Sequence, residues 1–345
     1  MAEYIRFEHI CKNFGEKKVL KDIDLGIEKG ELVTLLGPSG CGKSTLLRIL
    51  SGLEDATSGK VYLDGKDITN VAPQNRDIGM VFQHYSLFPN MNVRQNVAFG
   101  LKKKGIAKDE IRGAVDRMID IVGLSENADQ YPSQLSGGQQ QRAALARALV
   151  TKPKVLLLDE PLSAIDALLR HSLQVEIRRI QKELNITAVF VTHDQEEAMV
   201  MSDRINLMHD GKIEQSARPI DLYTNPQSKF AATFIGHYNV LATERFVSIM
   251  TGQRPVGEDL SRSQTIDFRP EIIGISKSAP ANVPADVYLL KGKVSMSLPH
   301  GNFLRYNISC GQTQIDVDTL FNRDKLYEDG AEVYLQIPAE SCILF

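Results

Sequence analysis

Residues 37–45 read Gly37-Pro38-Ser39-Gly40-Cys41-Gly42-Lys43-Ser44-Thr45 and fill every fixed position of G-x-x-x-x-G-K-[ST]. Glycines at this spacing let the backbone curl so that several N–H groups point inward, the arrangement that cradles phosphate oxygens. The apolar run Leu32–Leu36 precedes the loop, and helical spacing from Thr45 to Leu53 follows it. The loop therefore joins a strand to a helix, whose positive amino end adds to the attraction. Lys43 is expected to reach the β- and γ-phosphates, and the Ser44 hydroxyl to ligate Mg²⁺. A second landmark is Val155-Leu156-Leu157-Leu158-Asp159-Glu160, a buried strand that ends in two carboxylates. Open α/β sheets place their chemistry at the carboxyl ends of strands. Asp159 is expected to hold Mg²⁺ through water, which leaves Glu160 free to polarise an attacking water.

The third landmark, Leu135-Ser136-Gly137-Gly138-Gln139, stands ahead of a helical stretch from Gln140 to Val150. On its own it reads either as a helix cap or as a second phosphate loop acting in cis.

The elements that must position these residues follow from periodicity. Tyr4–Ile10, Val19–Ile27, Val61–Leu63, Val155–Leu158, Thr187–Thr192 and Arg204–Met208 read as strands. Helical patterns at Lys108–Val122, Leu168–Leu184 and Asp194–Val200 alternate with them. That alternation predicts an α/β nucleotidase sheet, parallel and covered on both faces. Residues 84–150 are mainly helical and form an expected helical subdomain. After residue 236 the texture changes to short strand-like runs separated by Gly, Pro and Asn. The expectation is a domain over 1–235 and a small all-β barrel over 236–345.

Composition agrees with a two-domain globular chain: 345 residues, 43% apolar and 24% charged. Lys+Arg is 40 against Asp+Glu 43, so no basic face suggests nucleic acid as a partner. The four cysteines (Cys11, Cys41, Cys310, Cys342) form no C-x-x-C pair, which points to reduced thiols. No apolar run approaches the roughly 18 residues needed to span a membrane, and no signal peptide is visible, so a cytosolic location is expected.

Taken together, these motifs resemble the nucleotide-binding subunits of ABC transporters over about the first 235 residues. The resemblance implies further roles. Phe14 matches the aromatic residue that stacks on adenine, where Tyr or Trp is commoner; read alone, it is equally a core side chain. Gln83, in Val81-Phe82-Gln83-His84, matches the glutamine that touches Mg²⁺ or water and senses the membrane subunits. Ser163-Ala164-Ile165-Asp166 matches the Ser-Ala-Leu-Asp loop, with Ile165 for the usual Leu and Asp166 in place. His193, after the strand Val189–Thr192, matches the histidine that contacts the γ-phosphate. In this family two subunits face each other head to tail. The phosphate loop of one and the Ser136-Gly137-Gly138-Gln139 loop of the other sandwich one ATP. The implied partners are a second copy, multi-span permease subunits and, indirectly, an extracytoplasmic solute-binding protein. The implied location is peripheral, on the cytoplasmic face of the membrane.

Phe234-Ile235-Gly236, Asn239, Phe268-Arg269-Pro270-Glu271 and the strand-rich tail resemble the importer ATPases of the maltose, polyamine, sulfate and ferric-iron type. A tail of about 110 residues is short for the sugar importers and leans toward ferric iron, phosphonate or polyamine cargo. The alternative is a soluble ABC ATPase of translation or DNA repair. Those carry two ATPase domains or a long coiled-coil insert, whereas this sequence has one phosphate loop and no sustained heptads. A GTPase is disfavoured by the lack of Asn-Lys-x-Asp, and it leaves the Ser136 loop unexplained.

Overall fold

The computed structural model describes residues 3–345 apart from 84, 164, 166, 252–259, 261–262, 302 and 323–325, with only the backbone described at 167–169. It divides into two compact units, Met1–Asn225 and Pro226–Phe345.

In the first unit, β1 (Ile5–Phe14) and β2 (Lys17–Ile27) form a hairpin, and β3 (Leu32–Leu36) runs through the Gly-rich loop into α1 (Lys43–Ser51). Next come β4 (Ser58–Leu63), β5 (Lys66–Asp67) and β6 (Ile78–Val81), then α2 (Val93–Lys103), α3 (Lys108–Ile121) and α4 (Gly137–Leu149). The unit continues through β7 (Val155–Asp159), α5 (Ala167–Leu184), β8 (Thr187–Thr192), α6 (Gln195–Met201), β9 (Arg204–His209), β10 (Lys212–Ala217) and α7 (Pro219–Thr224). The central sheet has six strands in the order β10-β9-β3-β8-β7-β6. It is parallel except for the β9–β10 hairpin. A second sheet, β2-β1-β4-β5, is antiparallel.

Every residue of β3, β7 and β8 is buried. This is why their sequences are continuous apolar runs rather than alternating ones. Side chains still alternate in space. Leu156 and Leu158 pack into a core shared with α2–α5, while Val155 and Leu157 pack into one shared with α1 and the antiparallel sheet. Burying one such side chain contributes about 1.5–3 kcal/mol. The two cores therefore clamp the strands whose ends carry the polar residues. In α3, Ile111, Val115, Met118 and Ile119 form the buried stripe expected from the periodicity.

The second unit contains α8 (Lys229–Ile235), β11 (Asn239–Ala242), α9 (Thr243–Ile249), β12 (Thr265–Phe268), β13 (Gly274–Ser276) and β14 (Val287–His300), then β15 (Phe303–Cys310), β16 (Thr313–Leu320), β17 (Glu332–Pro338) and β18 (Ile343–Leu344). The strands pair as two antiparallel sheets, β11-β12-β18 and β13-β17-β14-β15-β16. Both contribute to one core that includes Phe246, Phe268, Tyr288 and Tyr306. The division expected after residue 235 falls inside this unit, because α8 groups with it. The Arg269 motif is structural here. Its Nε donates to the Tyr238 hydroxyl at 2.8 Å, and its guanidinium stands 4.4 Å from that ring centre. A Cβ at Gly236 would come within 2.8 Å of the same guanidinium, so a larger residue there would displace the Arg269 side chain. Among the described residues, no helix is long and apolar enough to cross a membrane.

Candidate functional site

The Gly-rich loop needs its glycines for space as well as for conformation. A Cβ at Gly37 would lie 2.2 Å from the Met208 carbonyl oxygen. At Gly42, the residue capping α1, φ is +108° and a Cβ would strike the Leu20 side chain at 2.5 Å. The curl presents Ser39, Gly40, Gly42, Lys43, Ser44 and Thr45 to a recess of about 310 Å³, closed on its other sides by Lys17, Val19 and Glu160. Lys43 is buried, and its ammonium donates to the carbonyl oxygens of Gly37 (2.6 Å) and Pro38 (3.0 Å). Among the described residues no carboxylate pairs with it, so its charge is available to an anion in the recess. Cys41 is buried beside it. Burial pushes that thiol above its ordinary range, against the opposing pull of the Lys43 ammonium.

The strand ends meet at this recess. Ser44 Oγ donates to Asp159 Oδ1 at 2.8 Å, joining the start of α1 to the end of β7. Glu160 follows with φ +46°, a left-handed conformation uncommon for a non-glycine residue. Its carboxylate lies 3.4 Å from His193 Nδ1, beyond the end of β8. The Gln83 amide nitrogen stands 3.5 Å from Glu160 Oε2 and 3.3 Å from Ser163 Oγ. Gln83, Glu160 and His193, distant in sequence, thus form one cluster. Asp166 and His84 lie outside the described residues.

Phe14 ends β1 with 49% of its surface exposed, so it is not a core side chain. The Lys12 ammonium sits 4.7 Å from its ring centre, and its ladder partner Lys17 lines the recess. Ser136 caps α4: its hydroxyl accepts from Gln139 N (3.3 Å), and Gln139 Oε1 accepts from Ser136 N (2.8 Å). This reciprocal box is the helix-cap reading of the motif. Ser136 and Gly137 are exposed, and none of Ser136–Gln139 lines the recess.

Sequence reasoning missed Arg170 on α5. Its guanidinium reaches the Ile165 carbonyl oxygen (3.0 Å), Asp194 Oδ2 (3.3 Å) and Glu197 Oε1 (3.8 Å). Glu197 is buried and accepts from Thr192 Oγ1 at 2.6 Å. Burial raises its carboxyl above the usual range, against the Thr192 hydrogen bond and the charge of Arg170. Arg170 thereby ties Ile165 to the segment that carries His193. The contacts to Asp194 and Glu197 span 24 and 27 residues, so no local pattern could reveal them.

The sequence pattern described as ABC transporter matches residues 20–163. The chain is 46% identical over 286 residues to a sulfate/thiosulfate import ATP-binding protein of Synechococcus elongatus, covering 83% of each chain. It is 47% identical over 282 residues to an Fe(3+) ions import ATP-binding protein of Photorhabdus laumondii, covering 80% of each. A spermidine/putrescine import ATP-binding protein of Thermobifida fusca is 46% identical over 320 residues, 88% of this chain and 83% of that one. Among solved structures, cbiO1 of Clostridium perfringens, part of the ABC transporter complex cbiONQ, matches with TM-score 0.61 and 31% identity. That match covers 65% of this chain and 92% of the other. These relatives set aside the soluble, non-transport alternative. The chain belongs to the ABC transporter family, as an ATP-binding and ATP-hydrolysing subunit of an import system that works with permease partners.

Proposed function

We propose that the recess holds the phosphates of ATP together with Mg²⁺, and that two copies close over the nucleotide to energise a permease from the cytoplasmic face of the membrane. The observation that carries this reading is the Ser44–Asp159 hydrogen bond of 2.8 Å, which brings two hard oxygen donors together beneath the phosphate loop. Such a donor set, with no thiolate or imidazole in it, suits Mg²⁺; Gln83 is the third ligand in this reading. Bound there, the cation neutralises charge developing on the β- and γ-oxygens. Lys43 exchanges its main-chain carbonyls for phosphate oxygens. Glu160 polarises the attacking water, and His193 orients that carboxylate and meets the γ-phosphate. The exposed Phe14 ring stacks on adenine.

The Ser136 cap supports a role in trans. A hydroxyl has one donor and two acceptor positions, and capping uses only an acceptor. The O–H is left for a γ-phosphate held by a second copy, beside an open helix amino end. Asp166 belongs to the same closure. An extracytoplasmic binding protein and the permease choose the cargo in this reading. Relatives named for sulfate, ferric ions and polyamines have nearly equal identity to this chain. The sulfate relative is matched over 83% of both chains, so the two are of similar length and tail length does not separate the cargo classes.

Glu160→Gln tests the chemistry. Affinity for a fluorescent ATP analogue stays within a few-fold, while phosphate release falls by about 10²-fold or more. Hydrolysis above about a tenth of the parent rate removes Glu160 from this role.

A further inference from the structure

A larger cavity, about 650 Å³, lies at the amino-terminal ends of β7 and β8, one strand length from the phosphate loop. Its floor is apolar: Met118 and Ile121 of α3, Leu149 of α4, and Ile186 at the start of β8. Around it stand Lys29, Arg117, Lys152 and Lys154, and no acidic residue is among the described residues lining it. Lys154 pairs with Asp64 at 2.9 Å. Among the described residues no carboxylate pairs with the other three. The Lys29 ammonium rests 5.5 Å from the ring centre of Tyr4 and shares the field of Asp64 without a direct ion pair.

The volume falls within the roughly 300–1,000 Å³ typical of small-molecule sites. Inorganic phosphate would leave the apolar floor wet, and a neutral hydrocarbon would make no use of the cations. We propose that this cavity binds an amphipathic organic anion, with an apolar body on the floor and a carboxylate or sulfonate head among Lys29, Arg117 and Lys152. The site is separate from the nucleotide recess. It bridges α3 of the helical region and the approach to β8, so an occupant ties these two parts of the first unit together.

The test uses the full chain and 8-anilinonaphthalene-1-sulfonate fluorescence. The expected result is one saturable site, displaced by decanoate but not by decyltrimethylammonium or MgATP. Arg117 and Lys152 are exposed, so reversing both charges spares the fold, which a melting scan verifies. Arg117→Glu with Lys152→Glu weakens binding about tenfold. Ala114→Trp, which fills the cavity wall, abolishes it. Equal binding by the charge-reversed variant, or equal displacement by the cationic amphiphile, means non-specific adsorption and overturns the proposal. Absence of saturable binding, or displacement by MgATP, overturns it as well.

Discussion

The two units use polar groups in opposite ways. In the first, Lys43 and Ser44 at the start of α1 and Glu160 after β7 line a recess, with Asp159 hydrogen-bonded to Ser44 and His193 beside Glu160. Among the described residues Lys43 has main-chain carbonyls and the Cys41 sulfur but no carboxylate beside it, and His193 is largely exposed. In the second, the principal polar groups pair with one another, buried Asp267 being an exception. Arg305 forms a two-point pair with Asp318 across β15 and β16 (2.8 and 2.7 Å), and Asn239 exchanges hydrogen bonds with the Asp316 main chain. Parallel strands buried on both faces leave charged residues to their ends, where they become available to a ligand. Antiparallel strands pair side chains along their length, where those side chains fix register. The difference teaches that charge alone does not mark a site; what marks it is charge gathered at the rim of an open recess and not used up by an internal ion pair.

Three substitutions can break or sharpen this comparison. The largest effect is expected from Lys43→Ala. Removing the one buried ammonium at the phosphate recess lowers ATP affinity by about 10²-fold, since hydrogen bonds to charged groups are each worth about 1.5–3 kcal/mol. Isothermal titration checks this, and affinity within a few-fold of the parent would place the phosphates elsewhere. Arg170→Ala is next. The variant folds and binds ATP normally but hydrolyses it about tenfold more slowly, because the segment carrying His193 loses its tie to Ile165. Arg170→Lys restores little, since a point charge cannot span Ile165, Asp194 and Glu197. A parent-like turnover in Arg170→Ala would make the network merely structural.

The smallest effect concerns Asp267, a buried carboxylate with no ion pair among the described residues and at most the Thr265 hydroxyl to offset its burial. Burial raises its carboxyl above the usual range. Between the unfolded and the native pKa the folded state therefore holds more protons, and stability falls as pH rises through that window. Asp267→Asn raises the calorimetric transition of the second unit by a few degrees near pH 7.5, where about 1 kcal/mol shifts a small domain by 4–8 °C. The gain shrinks as pH falls toward the unfolded carboxyl's range and is lost below it, where the parent carboxyl is neutral in both states. A gain that does not change with pH would contradict the burial account.

Much of the first unit was legible because its signals are local. The loop 37–45 fills a contiguous pattern, Leu32–Leu36 and Thr187–Thr192 coincide with their strands, and the three-residue spacing of Ser136 and Gln139 announces the capping box. What escaped depends on the packing of distant segments. The tie from Arg170 to Asp194 and Glu197 appears only once α5 and α6 meet. Phe14 could be judged exposed or buried only from the end of its hairpin. The division after Asn225 escaped because α8 continues the helical texture of the first unit although it groups with the second.

The central claim, that Ser136 of one copy acts on ATP held by another, is tested most directly by mixing two inactive full-length variants. Lys43→Ala lacks the phosphate contact but keeps the Ser136 loop. Ser136→Arg keeps the phosphate loop and binds ATP within a few-fold of the parent, but blocks closure. In a head-to-tail pair, one site of each mixed dimer combines the intact phosphate loop of one chain with the intact Ser136 of the other. The account predicts that an equimolar mixture recovers up to roughly a quarter of parent phosphate release, from half the dimers and one of two sites in each. A mixture as inactive as its components would contradict it and return the Ser136 motif to its role as a helix cap.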